Sequence, residues 1–146
     1  METNRYVRLA DLCNRIDSLA ADFFYPRLSM LGLYRGQPKV LRFLGEHDSC
    51  RQKDIAEHFY LKAASVSGTL GTLEQQGLIE RKMNPRSRRE TLVYLTEAGK
   101  EKLAEVRKLY DAIDREWFGD FCGGDLEQLL TLLERLEESI LKRNQE

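Results

Sequence analysis

This chain has no long apolar run. Its hydrophobic stretches are a few residues each, too short to span a bilayer. The opening residues, METNRYVRLADLCNRID, are charged throughout and lack the apolar centre of a signal peptide. A cytoplasmic location with no membrane partner is the expectation. Cysteine is scarce and scattered: Cys13, Cys50 and Cys122 form no CxxC pair, which argues against a disulfide framework or a zinc ribbon. The two histidines, His47 and His58, have no cysteine at ligand spacing, so no metal site is expected. A glycine-rich phosphate loop, a nucleophile elbow and a paired His/Asp/Cys constellation are all missing. An enzyme reading therefore has little support, and no cofactor is expected. Internal repeats and low-complexity segments are absent too. Net charge is also lacking: the balance is −1, which does not announce a nucleic-acid binder.

What is present points elsewhere. A length of 146 residues with 42% hydrophobic and 32% charged side chains suits one helix-rich globular domain, or one with helical extensions. Charge is unevenly placed. Residues 81–89, RKMNPRSRR, hold five basic and no acidic side chains, whereas residues 101–146 hold seven basic and twelve acidic. A basic spot on a mildly acidic body lets one face approach phosphate.

Periodicity sets the order of elements. Leu9, Leu12, Ile16, Leu19 and Phe23 step by 3, 4, 3 and 4, predicting a helix over 4–25 that Pro26 ends or kinks. Residues 26–36 read as a short irregular or helical piece. A helix over 38–46 follows, with Pro38 in its first turn and Val40, Leu41, Phe43 and Leu44 inward. Two helices over about 51–58 and 62–76, with Leu61 in the turn between them, bury Ile55, Ala56 and Phe59 from the first and Val66, Leu70 and Leu73 from the second. Gly77 is placed as a left-handed cap. A strand over 78–83, a turn opened by Asn84-Pro85 and a return strand over 91–95 make a hairpin. Thr96 caps a helix carrying Leu103, Val106, Tyr110, Ile113 and Trp117. After the breaks at Gly119 and Gly123-Gly124, Asp125 caps a last helix with Leu126, Leu129, Leu133, Leu136 and Ile140. The fold class is mainly α: a winged helix-turn-helix with flanking helices.

Leu9, Leu12, Ile16 and Leu19 at one end and Leu129, Leu133, Leu136 and Ile140 at the other have only one small domain to bury them. Such an imbalance is relieved by dimerisation. The division expected is 1–36 for an N-terminal dimerisation helix and connector, 37–95 for the winged lobe, and 96–146 for C-terminal dimerisation helices, all one structural domain.

The second helix of the helix-turn-helix keeps one face compact, with Ala63, Ala64, Ser65, Ser67, Gly68, Thr69 and Thr72. Small residues let a helix backbone sink into a DNA groove, where hydroxyls reach phosphates or base edges. Lys62 stands at its start, where the helix N-terminus already favours an anion. Arg86, Arg88 and Arg89 on the hairpin suit a narrow minor groove or its rim phosphates, with one of them alternatively pairing with Glu90 or another acid to hold the wing. Each feature alone also fits an ordinary solvated surface. Their combination in one motif favours double-stranded DNA as the partner.

The segments QKDIAEHFYLKAASVSGTLGTLEQQGLIER and NPRSRRETLVYLTEAGK resemble the MarR (multiple antibiotic resistance regulator) family of bacterial transcription regulators. The specific phrases are LxxLExxGLIxR, the Arg-rich turn and LVYLTEAG. The resemblance implies a homodimeric repressor on a pseudo-palindromic operator, released by a small phenolic or lipophilic effector or by cysteine oxidation. Ser65 and Ser67 fall on its recognition-helix positions, and Arg88 and Arg89 on its wing arginines. Two positions depart from the pattern: Gly68 replaces a frequent arginine, and Ser87 replaces a usual acid that steadies a wing arginine. By the same resemblance, an effector pocket would draw on Phe24, Tyr25, Met30, Tyr34 and His47, which also read as ordinary core. Cys13 lies roughly where peroxide-sensing members carry their reactive thiol, although its surroundings favour a buried structural cysteine. A winged helix that docks protein without reading DNA, and a thiol-based regulator using Cys13, are the alternatives.

Overall fold

A computed structural model describes residues 4–145. Among them, six helices and three strands follow in the order α1 (Arg5–Met30), α2 (Gln37–Glu46), β1 (Cys50–Arg51), α3 (Gln52–His58), α4 (Ala63–Gln75), β2 (Ile79–Asn84), β3 (Ser87–Leu95), α5 (Glu97–Phe118) and α6 (Asp125–Asn144). The chain forms two compact units, one ending at Arg107 and the other beginning at Lys108. No helix among the described residues is long and apolar enough to cross a membrane.

In the first unit, α2, α3, α4, the start of α5 and a three-stranded antiparallel sheet of order β1-β3-β2 supply the core. Leu41, Ile55, Leu70, Leu73 and Val93 are fully buried, as are Val40, Leu44, Val66, Ile79 and Val106 to within a few per cent. The inward positions expected from helical spacing are inward, although Ala56 and Phe59 are only half-buried. Each large aliphatic side chain so placed contributes about 1.5–3 kcal/mol.

Helix ends are set by local chemistry. Gly77 adopts φ 74°, its amide bonds the Glu74 carbonyl at 2.9 Å, and the Leu78 amide bonds the Leu73 carbonyl at 3.0 Å. This pair of bonds closes α4 and turns the chain into β2. Thr96 joins two ends: its Oγ1 accepts from the Gly99 amide at 3.0 Å and donates to the Gly77 carbonyl at 2.6 Å. Buried Gln37, at the start of α2, ties the α1–α2 connector to α4. Its Oε1 accepts from the Tyr34 amide at 2.8 Å, and its Nε2 donates to Thr72 Oγ1 at 3.0 Å and Gln76 Oε1 at 2.9 Å. Gln76 in turn donates to the Gly32 carbonyl at 2.8 Å.

Several expectations are corrected. The first helix does not end at Pro26 but continues to Met30. Proline removes its own N–H from the ladder, while the last turn is anchored by buried Leu28 and by Arg27, which donates to the Phe23 carbonyl at 2.8 Å. The first part of the piece at 26–36, as far as Met30, thus belongs to α1. Strand β1 was not anticipated, because two residues carry no periodicity. The return strand begins at Ser87, which pairs with Asn84, rather than at Thr91. Gly124, at φ 89°, occupies the cap position of α6, and Asp125 is the first helical residue. Its carboxylate accepts backwards from the Cys122 amide at 2.9 Å.

In the second unit, α6 has no buried residue, and Leu129, Leu130, Leu132, Leu133, Leu136 and Ile140 are all exposed.

Candidate nucleic-acid interface

Helix α4 presents the compact face that its sequence foretold. Lys62, Ser65 and Gly68 are exposed, and Ser67 and Thr69 are half-buried. Lys62 is the N-cap residue, and no side chain caps the first amides of the helix. Those amides carry the partial positive charge of the helix start, with a lysine beside them.

The hydroxyls are less available than the sequence implied. Thr69 Oγ1 donates to the Ser65 carbonyl at 3.1 Å, and Thr72 Oγ1 donates to the Thr69 carbonyl at 2.8 Å while accepting from Gln37. Thr72 is therefore tied into the buried network rather than turned wholly outward. Ser67 lies beneath Arg81 of β2, whose guanidinium approaches its Oγ at 3.4 Å and bonds Glu74 Oε1 at 3.2 Å. Arg81 thus clamps α4 to the sheet. Sequence reading had counted Arg81 only as part of the basic run.

The wing is a tight hairpin with Pro85 and Arg86 at its turn. The Arg86 amide donates to Asn84 Oδ1 at 3.0 Å. Arg88 and Arg89 lie on β3, exposed, beside an irregularity in the strand register. None of the three wing arginines holds Glu90. That carboxylate accepts from Arg51 at 3.2 Å and from Asn84 Nδ2 at 3.0 Å. Arg51, the N-cap residue of α3, also bonds Asp54, whose Oδ2 accepts the Arg51 amide at 2.9 Å. The Arg51 guanidinium holds the Asp54 carboxyl below the usual carboxylate range, and the two carboxylates raise the pKa of Arg51 in turn. Arg51 and Asp54 were missed because the link spans the fold, and Glu90 was assigned to a wing arginine instead. Only the Arg51–Asp54 spacing across a helix start was visible locally.

Arg89, Glu90 and Thr91 of the wing, Arg51 to Lys53, Ala56 and Glu57 at α3, Tyr60 and Leu61 of the turn, and Ala63 at the start of α4 border one cleft of about 740 Å³. Tyr60 is the one described non-glycine residue at positive φ, 51°, marking how tightly the helix-turn-helix is folded there.

This arrangement has clear relatives. The profile of the MarR family matches residues 33–91. An organic hydroperoxide resistance transcriptional regulator of Bacillus subtilis (strain 168) is 32% identical over 124 residues, covering 83% of this chain and 81% of the relative. The chain belongs to the MarR family. It is a DNA-binding transcription regulator, as the sequence reading expected. Its fold is that of MarR, with a TM-score of 0.81 at 24% identity and full coverage of both chains. It is also that of Staphylococcus aureus MepR in a DNA complex, with a TM-score of 0.83 at 21% identity over 94% of this chain and 99% of that one.

Several other residues singled out in this MarR-family chain have contacts or exposure of their own. Phe24 packs edge-on to Phe23 at 6.2 Å, Tyr25 lies under the Arg35 guanidinium at 5.3 Å, and Met30 and Tyr34 are 86% and 66% exposed. His47 stacks on Phe43 at 4.1 Å, and His58 lies 4.9 Å from the same ring. Cys13 is exposed, not buried as its neighbours suggested, and Cys50 is the buried thiol. Burial, and secondarily the Asp54 charge, push the Cys50 thiol up to about 11. Leu9, Leu12, Ile16 and Leu19 of α1 are 42–69% exposed.

Proposed function

We propose that this MarR-family protein is a homodimeric repressor that reads a pseudo-palindromic operator. In this reading the compact face of α4, through Lys62, Ser65, Gly68 and Thr69, enters the major groove. Arg86, Arg88 and Arg89 of the β2–β3 wing contact the flanking minor groove or its phosphates. The observation that carries the reading is the shared cleft: the uncapped start of α4 and the wing's Arg89 border the same space. The exposed apolar stripes on α1 and α6 support the dimer, which would place two recognition helices on half-sites roughly 10 bp apart. A small phenolic or lipophilic effector that releases DNA fits the family, with its pocket completed only in the dimer. Domain boundaries at 36 and 95 separate the DNA-reading lobe from the dimerising helices in this scheme.

The test is a salt-titrated binding measurement on DNA from upstream of the protein's own gene, with random duplex as control and light scattering for mass. Expected are a dimer, tighter binding to the upstream DNA, and a steep loss of affinity with salt. Replacing Arg86, Arg88 and Arg89 together by glutamine should abolish binding and keep the dimer. Retained affinity in that variant would remove the wing from the interface. A dimer with no affinity for any duplex would favour a protein-docking role.

A second reading is supported by the exposure of Cys13 on α1 and by the hydroperoxide regulator among the relatives. An organic hydroperoxide would oxidise Cys13 to sulfenic acid with release of the alcohol, and DNA would dissociate. Release that persists in Cys13→Ser would exclude this thiol as the sensor.

A further inference from the structure

The hairpin ladder does not carry the wing tip. From Ile79↔Leu95 to Met83↔Thr91 the register of β2 with β3 is regular, but the next pair is Asn84↔Ser87. Arg88, Arg89 and Glu90 therefore intervene on β3 with no residue opposite them on β2. An excess of this kind bends a strand and leaves its direction weakly specified by backbone bonds.

Side chains supply what the ladder does not. Arg51 pairs with Leu92 across β1 and β3, and Glu90 is two residues from Leu92, on the same side of the strand. Glu90 Oε1 accepts from Arg51, and Oε2 accepts from Asn84 Nδ2 on the opposite strand. Asn84 Oδ1 receives the Arg86 amide. At the other end, Arg51 is fixed to Asp54 in the first turn of α3. A continuous chain of bonds thus runs from the helix-turn-helix, through Arg51 and Glu90, to the turn of the wing.

We propose that Asp54, Arg51, Glu90 and Asn84 form a brace that aims Arg88 and Arg89 at the DNA backbone, with Arg51 and Glu90 as positioning residues. The proposal rests on the DNA-binding reading of the wing. Arg51 lies between two carboxylates, so its charge is satisfied within the protein rather than offered to phosphate. Glu90 is an anion on a DNA-facing hairpin. By charge alone, removing it should strengthen binding, whereas the brace predicts that removing it weakens binding. The sign of the effect separates the two.

Glu90→Gln is the decisive variant. Its amide keeps the shape but offers only one acceptor oxygen to two donors, so one end of the brace opens. Arg51→Lys is the companion, because an ammonium cannot fork between Asp54 and Glu90 as a guanidinium does. Two measurements are made on the full chain. Hydrogen exchange of the amides of residues 84 and 86–90 should quicken about tenfold in either variant while α4 amides are unchanged. Affinity for a mixed-sequence duplex should fall about three- to tenfold, with the salt slope reduced by about one. In a background of Arg88→Gln and Arg89→Gln, Glu90→Gln should have no further effect on affinity.

Unchanged exchange in the wing overturns the brace regardless of DNA. A parent that binds the duplex while Glu90→Gln binds as well or better overturns it too, as does a loss that persists in full without the arginines. A parent with no salt-dependent affinity would sink the DNA reading and the brace's role with it, and is recognised without any variant.

Discussion

Two helical glycines should answer the same added methyl with opposite signs. At Gly68 in α4, a Cβ would meet nothing within 4 Å. At Gly99 in α5, it would lie 1.9 Å from the Leu78 carbonyl oxygen and 3.1 Å from Leu95 Cδ2. Gly68→Ala restores helix propensity and reduces the freedom of the unfolded chain, which stabilises by about 0.5–1 kcal/mol. Near this chain length 1 kcal/mol moves Tm by about 3 °C, so a rise of about 2–3 °C is expected. Gly99→Ala must displace backbone. The Leu78 carbonyl cannot turn away without losing its bond from the Thr96 amide, 3.1 Å long. Overpacking of this kind costs about 3 kcal/mol, a fall in Tm of about 9 °C. Thermal melts at one fixed protein concentration measure both. Function should diverge from stability at Gly68: the new methyl projects from the exposed face of α4, so DNA affinity should fall as Tm rises. A Gly68→Ala protein that melts below the parent, or a Gly99→Ala protein that melts with it, would refute the spatial argument. Undiminished DNA affinity in Gly68→Ala would place that position outside the groove.

Further outcomes follow from buried and paired groups. Gln37→Leu strands the Tyr34 amide and Gln76 Oε1, and should cost about 2–3 kcal/mol in urea unfolding; a neutral result would mean that the network is not limiting. Cys50 should resist alkylation in the folded state at neutral pH while exposed Cys13 and Cys122 react, as mass spectrometry of labelled protein would show. Because burial raises the Cys50 thiol to about 11, its contribution to stability is intact below the unfolded value of about 8.5 and is lost as pH climbs from there towards the folded value. Urea midpoints measured across that range should fall with pH in the parent and fall less in Cys50→Ala. Asp54 has the opposite sign. Its folded pKa is lowered by Arg51, so its contribution is present above about pH 4 and is lost as pH drops through the folded value. Asp54→Asn should flatten that acid limb, and an unchanged limb would assign acid sensitivity elsewhere.

Much of the candidate interface was legible because its signals are local. The compact run after Lys62, the glycine at 77, the Thr96 cap and the arginines of the wing each act within a few residues of their own position. The apolar stripes of α1 and α6 were equally plain, since helical period exposes them in sequence as the structure exposes them in space. The illegible parts are those where a side chain answers to a distant partner. Gln37 read as an ordinary polar residue before a proline, yet it is buried against Thr72 and Gln76. Thr72 read as outward and is exposed, but its hydroxyl also accepts from Gln37, which no local signal announces.

The sequence by itself determined the order of the helices and of the hairpin strands, the hydrophobic interior and the identity of the basic hairpin, because period, capping and turn chemistry are short-range properties. Tertiary structure alone decided that α1 continues through Pro26, that β3 begins among charged residues at Ser87, and that Glu90 answers to Arg51 rather than to a wing arginine. The last depends on a bond whose worth exists only once distant segments have met, so no local preference announces it.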